Sequence, residues 1–272
     1  MTAGTRARRR GAIGVGNTPL PLGLAYAAML VFLYLPIVLL AVFSISSNTS
    51  LSFPLKGLTL DRYASVLADP ALLGAARNSL VVASAAATAA TALAFAVSVA
   101  VLRFRFVGRR LLLALAAAPL LVPFVVLGVA LFLLFNLVGV PRSLLTVALG
   151  HSVVALPYAT LILLSRIGGL DPALEDAAMD LGASYPTTLR RVILPLVGPS
   201  MLSAWLTAFI VSFDEVALAN FLAGGDPTFP VFLYGQLRFA GRIPVLIAMA
   251  MLMMIGTIIL TLIANRLRTR NE

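Results

Sequence analysis

Cysteine, histidine and lysine, which serve as metal ligands, nucleophiles or phosphate-binding groups in many proteins, are nearly absent from this sequence. It has no cysteine, one histidine (His151) and one lysine (Lys56, in PLKGL). A zinc-type site needs several Cys or His ligands, and thiolate chemistry needs a cysteine. A phosphate-binding loop, GxxxxGK[ST], needs its lysine in a glycine-rich setting that PLKGL does not provide. The sequence therefore argues against a membrane enzyme, an intrinsic ATPase and a bound cofactor, and it favours a packing role for His151.

Acidic side chains concentrate in one polar interval of the second half, Leu170–Pro195, which we call the polar hairpin. Four of the ten acids of the chain lie there, namely Asp171, Glu175, Asp176 and Asp180. Asp171 is suited to cap a helix that has Pro172 at its first position. Apolar residues then recur at i, i+3, i+4 and i+7, with the acids on the other side. The residues of this stripe are Leu174, Ala177, Ala178 and Leu181.

The second half of the polar hairpin carries its own start and stop signals. Gly182 suits the position after a helix, where a left-handed backbone is needed. Ser184 is placed to cap a second short helix, from Pro186 to Ile193, which Pro195 is expected to stop. The interval is too short and too charged to cross a membrane. It predicts two short amphipathic helices in a right-angled hairpin, and the alternative is an ordinary solvated loop between hydrophobic helices.

A second acidic site, Asp214 and Glu215, interrupts the apolar stretch AFIVSFDEVALANF. If a helix begins near Gly198, Asp214 lies about 24 Å along it, in the outer third of a membrane core. Acids at that depth are expensive and therefore face protein or water. Adjacent residues point about 100° apart, so we expect one acid to line a path and the other to pair with an arginine such as Arg238 or Arg242. The alternative is an interfacial acid pair, if the helix ends earlier.

The elements that must position these groups are hydrophobic helices. With 61% hydrophobic residues, 11% charged residues and a mean hydropathy of +1.04, the chain has the composition of an integral membrane protein. Backbone groups in lipid must be satisfied within each segment, so we predict an all-α fold with six transmembrane helices. The spans are placed near residues 21–45, 78–102, 111–135, 144–165, 198–221 and 243–265. Residues 1–20 and 267–272 form tails on either side of this domain of residues 21–266.

Features inside the predicted spans indicate how they pack. Small residues dominate the second span, which suits a crowded bundle interior. Three prolines, Pro119, Pro123 and Pro157, are expected to kink the third and fourth spans. The first apolar run is too long for a signal peptide, so we interpret it as an uncleaved span.

The distribution of lysine and arginine predicts the orientation of the chain. Six spans place both termini on one side, and that side collects 14 of the 20 basic residues, including those of the polar hairpin. Basic loops face the cytoplasm, so both termini and the polar hairpin are predicted to be cytoplasmic. The same rule accounts for the net charge of +10, and we expect no nucleic-acid partner.

The polar hairpin resembles the EAA loop of ABC-transporter permeases, whose pattern is Glu-Ala-Ala, three residues, Gly, nine residues and Ile-x-Leu-Pro. Here Asp176-Ala177-Ala178 precedes Gly182 at the same spacing, and Val192 to Pro195 follows, with Asp176 and Val192 as the departures. The resemblance implies a type I ABC importer permease fold in a bacterial inner membrane. It also implies that the hairpin couples the permease to cytoplasmic ATPase subunits. The residues it assigns to coupling are Leu174, Glu175, Asp176, Ala177, Ala178, Leu181, Gly182, Leu189, Leu194 and Pro195.

The stretch SFDE and the residues after it resemble spermidine/putrescine permeases. The matching positions include Asp214, Glu215, Pro230, Tyr234 and Arg238. This branch also contains permeases for thiamine, iron and phosphonates. The resemblance implies a second permease subunit, expected to differ from this chain, and a periplasmic or lipid-anchored solute-binding protein.

The substrate class follows from charge, since no basic residue lies deep in a predicted span while two acids do. A cation such as a polyamine is favoured over an anion, with Asp214 and Glu215 as path residues. A self-contained secondary carrier or channel is the rival interpretation, although it has no use for a hairpin with EAA spacing.

Overall fold

The computed structural model describes residues 20–48 and 50–269, and the two predicted tails lie largely outside these ranges. The described residues form helices and loops, with one isolated bridge between Ser46 and Leu58. The α-helices are α1 (Leu20–Ser44), α2 (Asp61–Ala68), α3 (Pro70–Arg103), α4 (Arg109–Ala117), α5 (Phe124–Leu137), α6 (Leu144–Gly168), α7 (Ala173–Asp180), α8 (Tyr185–Thr188), α9 (Leu194–Phe213), α10 (Ala219–Leu222), α11 (Phe229–Gln236) and α12 (Ile243–Thr269).

Four described helical segments are long and apolar enough to cross a membrane: Leu22–Ser44, Pro70–Arg103, Leu144–Gly168 and Tyr185–Phe213. A fifth span results if the bent pair α4–α5 is counted as one. The predicted sixth span corresponds to α12, whose apolar segment Ile243–Ile259 is shorter. An all-helical membrane fold is thus confirmed, and four to five spans are supported.

The centre of the fold is a three-helix unit formed by α3, α6 and α9. Its tight packing rests on the small residues of α3, since Ala83, Ala86, Ala87 and Ala90 are completely buried. Small side chains let helix backbones approach closely in a lipid environment. The predicted crowded interior at this helix is confirmed.

Helix α3 begins eight residues before the predicted start of the second span, at Pro70 rather than residue 78. The Asp69 carboxylate accepts the backbone N–H groups of Ala71 and Leu72, at 2.9 and 3.3 Å. Proline at the first helical position costs nothing, because its missing N–H would have no partner there. A capped N-terminus therefore extends the helix beyond its apolar run.

The predicted third span, residues 111–135, is broken rather than kinked. Helix α4 passes through a 3₁₀ turn, Ala118–Leu121, and α5 then leaves at an angle of 113°. Pro119 and Pro123 flank this break, and each lacks a backbone donor. Pro157, by contrast, lies inside α6 without breaking it.

The polar hairpin runs into α9 without a stop, so the predicted termination at Pro195 is wrong. Residues Leu189–Ile193 form a π-turn, in which the Leu194 N–H donates to the Leu189 carbonyl five residues earlier. The wider turn accommodates Pro195, whose ring would otherwise crowd the preceding turn. Helix α9 then ends at Phe213, eight residues before the predicted end of the fifth span.

Candidate functional sites

The polar hairpin is built by the local signals that its sequence carries. The Asp171 carboxylate accepts the Ala173 N–H at 3.0 Å and starts α7. Gly182 follows α7 with φ of +86°, the left-handed conformation predicted for it. Ser184 precedes α8 as predicted, but its hydroxyl bonds the Thr187 hydroxyl at 2.9 Å instead of a backbone N–H.

Apolar side chains of α7 and of the turn after it are exposed. Leu174 and Met179 are exposed, and Leu181 retains 90% of its accessible surface. An exposed apolar patch rimmed by polar residues is a candidate contact site for another protein. Asp176 and Ala177 are exposed as well, whereas Ala178 is half-buried.

The remaining coupling candidates lie on the inner side of the hairpin or at the start of α9. Leu189 packs against the buried cluster that includes Ile193 and Val197. Leu194 and Pro195 are exposed at the beginning of α9. The ten candidates therefore share one hairpin, but Glu175 and Leu189 face the protein interior while most of the others are exposed.

Glu175 is the one buried residue of α7. Its Oε1 lies 2.5 Å from Nε of Arg103, at the end of α3. Arg103 also donates through Nη2 to the Ile167 carbonyl at the end of α6, at 3.1 Å. Sequence reasoning missed this role, because Arg103 looked like one of several basic residues that orient the chain.

Asp214 and Glu215 lie just beyond the end of α9, so the helix ends earlier than the predicted fifth span, as in the alternative of an interfacial acid pair. Asp214 is exposed and lines a cavity of about 310 Å³, which we call the Asp214 cavity. Its other walls are mostly apolar and come from α9, α11 and α12. They are formed by Phe213, Phe229, Pro230, Leu233, Ala250, Met253, Met254 and Thr257.

Glu215 points the other way, into the protein, and is buried. Its carboxylate accepts the backbone N–H groups of Leu218 and Ala219, at 2.8 and 2.9 Å, at the start of α10. Its Oε2 also lies 3.3 Å from Nε2 of His151. His151 is held in turn by Ser212, whose hydroxyl lies 2.7 Å from Nδ1. His151 is thus buried and packed inside the protein, as predicted, and its Nε2 has the contact with Glu215 but no hydrogen bond of regular geometry.

The expected pairing of Asp214 or Glu215 with Arg238 or Arg242 is wrong. Arg242 contacts Asp69 at 2.7 Å, and Arg238 donates to the Gly235 carbonyl at 2.7 Å. Glu215 is compensated by His151 and two backbone amides instead, because the end of α9 at Phe213 turns the acid inward.

The chain matches known proteins over most of its length. The family model described as "Binding-protein-dependent transport system inner membrane component" matches residues 80–271. The spermidine/putrescine transport system permease protein PotC of Haemophilus influenzae is 31% identical over 89% of this chain and 93% of its own length. The putrescine transport system permease protein PotI of Escherichia coli is 34% identical over 89% and 88%.

A solved structure shares the fold. It is a bacterial alginate ABC transporter in complex with an alginate-pentasaccharide-bound periplasmic protein. The likeness has a TM-score of 0.70 at 16% identity and covers 92% of this chain and 93% of the other.

Proposed function

Because the chain belongs to the family of binding-protein-dependent transport system inner membrane components, we propose that it is the permease subunit of a polyamine importer. It forms part of the path through the bacterial inner membrane for putrescine, spermidine or a similar cation. The observation that carries this proposal is the identity of 31–34% to two polyamine permeases over about nine-tenths of each chain. ATP hydrolysis belongs to a separate subunit, because the relatives of this chain are transport permease subunits.

The outer face of the polar hairpin serves as the docking site for an ATPase subunit. Leu174 and Leu181 are its apolar anchors, Asp176 and Ala177 lie beside them, and Gly182 makes the turn. Two leucines exposed on a segment too polar for lipid are best explained by a protein that covers them. Pro195 and Leu194 begin the helix through which the hairpin continues into the bundle.

The chain crosses the membrane six times, with α4–α5 as a broken span and α12 as the last. Both termini and the polar hairpin then share the cytoplasmic side, in agreement with the excess of basic residues there. A second, different permease subunit completes the path. A periplasmic or lipid-anchored solute-binding protein delivers the cation on the opposite side, as the alginate neighbour has a periplasmic protein bound.

Asp214 is the path residue of the acid pair, and Glu215 is structural. The Asp214 cavity joins one free carboxylate to methionine, phenylalanine and leucine side chains. This combination suits a polyamine, which alternates ammonium groups with methylene chains. The Asp214 carboxylate supplies negative charge that stabilises a cation when the cation loses water in the cavity.

Purification of the tagged chain from its native membrane in mild detergent tests the assembly. We expect mass spectrometry to find an ATPase subunit and a second permease with it. If the chain purifies alone or only with copies of itself, the importer assignment is overturned.

Uptake by the purified complex in proteoliposomes, with the binding protein supplied, tests the substrate. We expect ATP-dependent accumulation of radiolabelled putrescine or spermidine that thiamine, ferric iron and phosphonates do not inhibit. Uptake of one of those solutes, without polyamine uptake, would retain the importer and reject the polyamine.

A further inference from the structure

Helix α7, which carries the proposed docking face, is joined to its chain neighbours by short turns. Gly169 lies in the turn from α6, and Gly182 lies in the turn toward α8. Both turns are closed by backbone hydrogen bonds, such as those from the Leu170 N–H to the Ile167 carbonyl and from the Gly182 N–H to the Met179 carbonyl. Neither turn connects α7 to α3, so a direct connection between these two helices requires a side-chain contact.

The contact between Arg103 and Glu175 fits this requirement. Both side chains are largely buried, with 14% and 9% of their surfaces accessible, and their charged atoms lie 2.5 Å apart. The second bond of Arg103, to the Ile167 carbonyl, fixes the guanidinium to the end of α6. One side chain of α3 therefore holds the ends of α6 and α7 together.

A neighbouring aromatic contact ties α3 to the other half of the hairpin. The ring of Phe104 meets the ring of Tyr185 edge to face, with centroids 5.2 Å apart. Such pairs stabilise a defined orientation of the two rings. The end of α3 thus touches both α7 and α8, on either side of Gly182.

We propose that Arg103 is the positioning residue that makes α7 and α3 move as one body when the ATPase closes. This inference rests on the proposed function of the polar hairpin. The π-turn already makes α8 continuous with α9, and a short loop joins α6 to α7. The Arg103–Glu175 pair adds α3, so that all three helices of the central unit receive the displacement of the hairpin. Without it, the ATPase binds and hydrolyses ATP but α3 follows incompletely.

The test compares Arg103→Gln with Arg105→Gln in the purified complex in proteoliposomes. Both variants remove one positive charge from the same end of α3, but Arg105 is exposed. We expect Arg103→Gln to lower putrescine uptake per ATP hydrolysed about tenfold, within the usual range of coupling between sites. The ATPase should still copurify, and Arg105→Gln should match the parent. Equal ratios in the two variants would overturn the proposal.

A cross-linking experiment separates transmission from mere stability. The chain has no cysteine, so Arg103→Cys with Glu175→Cys introduces its only two thiols. We expect the double variant to lose uptake and a short bifunctional thiosulfonate to restore it, since a covalent bridge replaces the ion pair. Bridge formation is verified by mass spectrometry, and each single-cysteine variant serves as a control.

If the bridge forms and uptake stays low, the pair does not act by holding α7 to α3. If the parent complex contains no ATPase, the proposed function itself fails, and this outcome is seen before any variant is made.

Discussion

Two neighbouring acids, Asp214 and Glu215, should respond differently when the carboxylate is replaced by an amide. Glu215→Gln removes the charge from a buried carboxylate that accepts two backbone N–H groups at 2.8 and 2.9 Å. The amide that replaces one carboxylate oxygen is a donor, so one backbone N–H of α10 loses its acceptor. Asp214→Asn alters an exposed carboxylate that lines the Asp214 cavity.

The magnitudes follow from these contacts. A hydrogen bond to a charged acceptor contributes about 1.5–3 kcal/mol, and its loss leaves a buried donor unsatisfied, so we expect Glu215→Gln to lower the unfolding free energy by about 3 kcal/mol, the upper end of that range. For a chain of this size, that corresponds to a fall in Tm of roughly 10 °C. Asp214→Asn should leave Tm unchanged. It should raise the KM for putrescine about fivefold, as expected from the loss of about 1 kcal/mol of charge attraction.

The assay has two readouts on the same purified complexes. Thermal unfolding in detergent measures Tm, and initial rates of putrescine uptake in proteoliposomes measure KM. Equal falls in Tm for the two variants would refute the assignment of Glu215 as the structural acid. An unchanged KM for Asp214→Asn would remove Asp214 from the path.

Three further predictions concern glycines and a surface ion pair. Gly182→Arg forces a side chain into a left-handed conformation, at a cost of about 1–2 kcal/mol; we expect membrane insertion but little ATPase in a pull-down. Gly150→Ala places a Cβ 2.6 Å from Leu222 and should lower Tm by several degrees, at a cost of about 1–3 kcal/mol, whereas Gly198→Ala meets nothing within 4 Å and should not lower it. Asp69→Ser keeps the helix cap but breaks the exposed pair with Arg242, and we expect a change below about 1 kcal/mol in thermal unfolding.

The sequence predicted those parts of the fold that depend on local signals. The left-handed Gly182, the crowded small residues of α3 and the span of α6 each follow from a glycine, an alanine run or an apolar run. The apolar stripe that includes Leu174 and Leu181 also follows from the spacing of apolar residues. A pattern identifies an apolar face, but the exposure of that face depends on which elements pack around it.

The features that the sequence did not predict depend on contacts between distant segments or on local departures from regular helix. Glu215 turns toward His151 because α9 ends at Phe213, an end that the sequence offered only as an alternative. Pro195 predicts the end of a helix, but the π-turn before it accommodates the proline and the helix continues into α9. The pair of Arg103 and Glu175 joins residues 72 positions apart in the sequence. A single sequence carries no signal for such a pair.

Helix α1 shows how the order of synthesis relates to the order of packing. It is 25 residues long, carries no charged residue and is mostly exposed in this chain. Its main helix contact is α12, the last helix of the chain. Because α1 is synthesised long before α12, we expect it to insert in lipid as an independent span before its packing partner exists. Its apolar surface suits such early insertion in lipid. The contact between α1 and α12 forms only after the last helix has been synthesised.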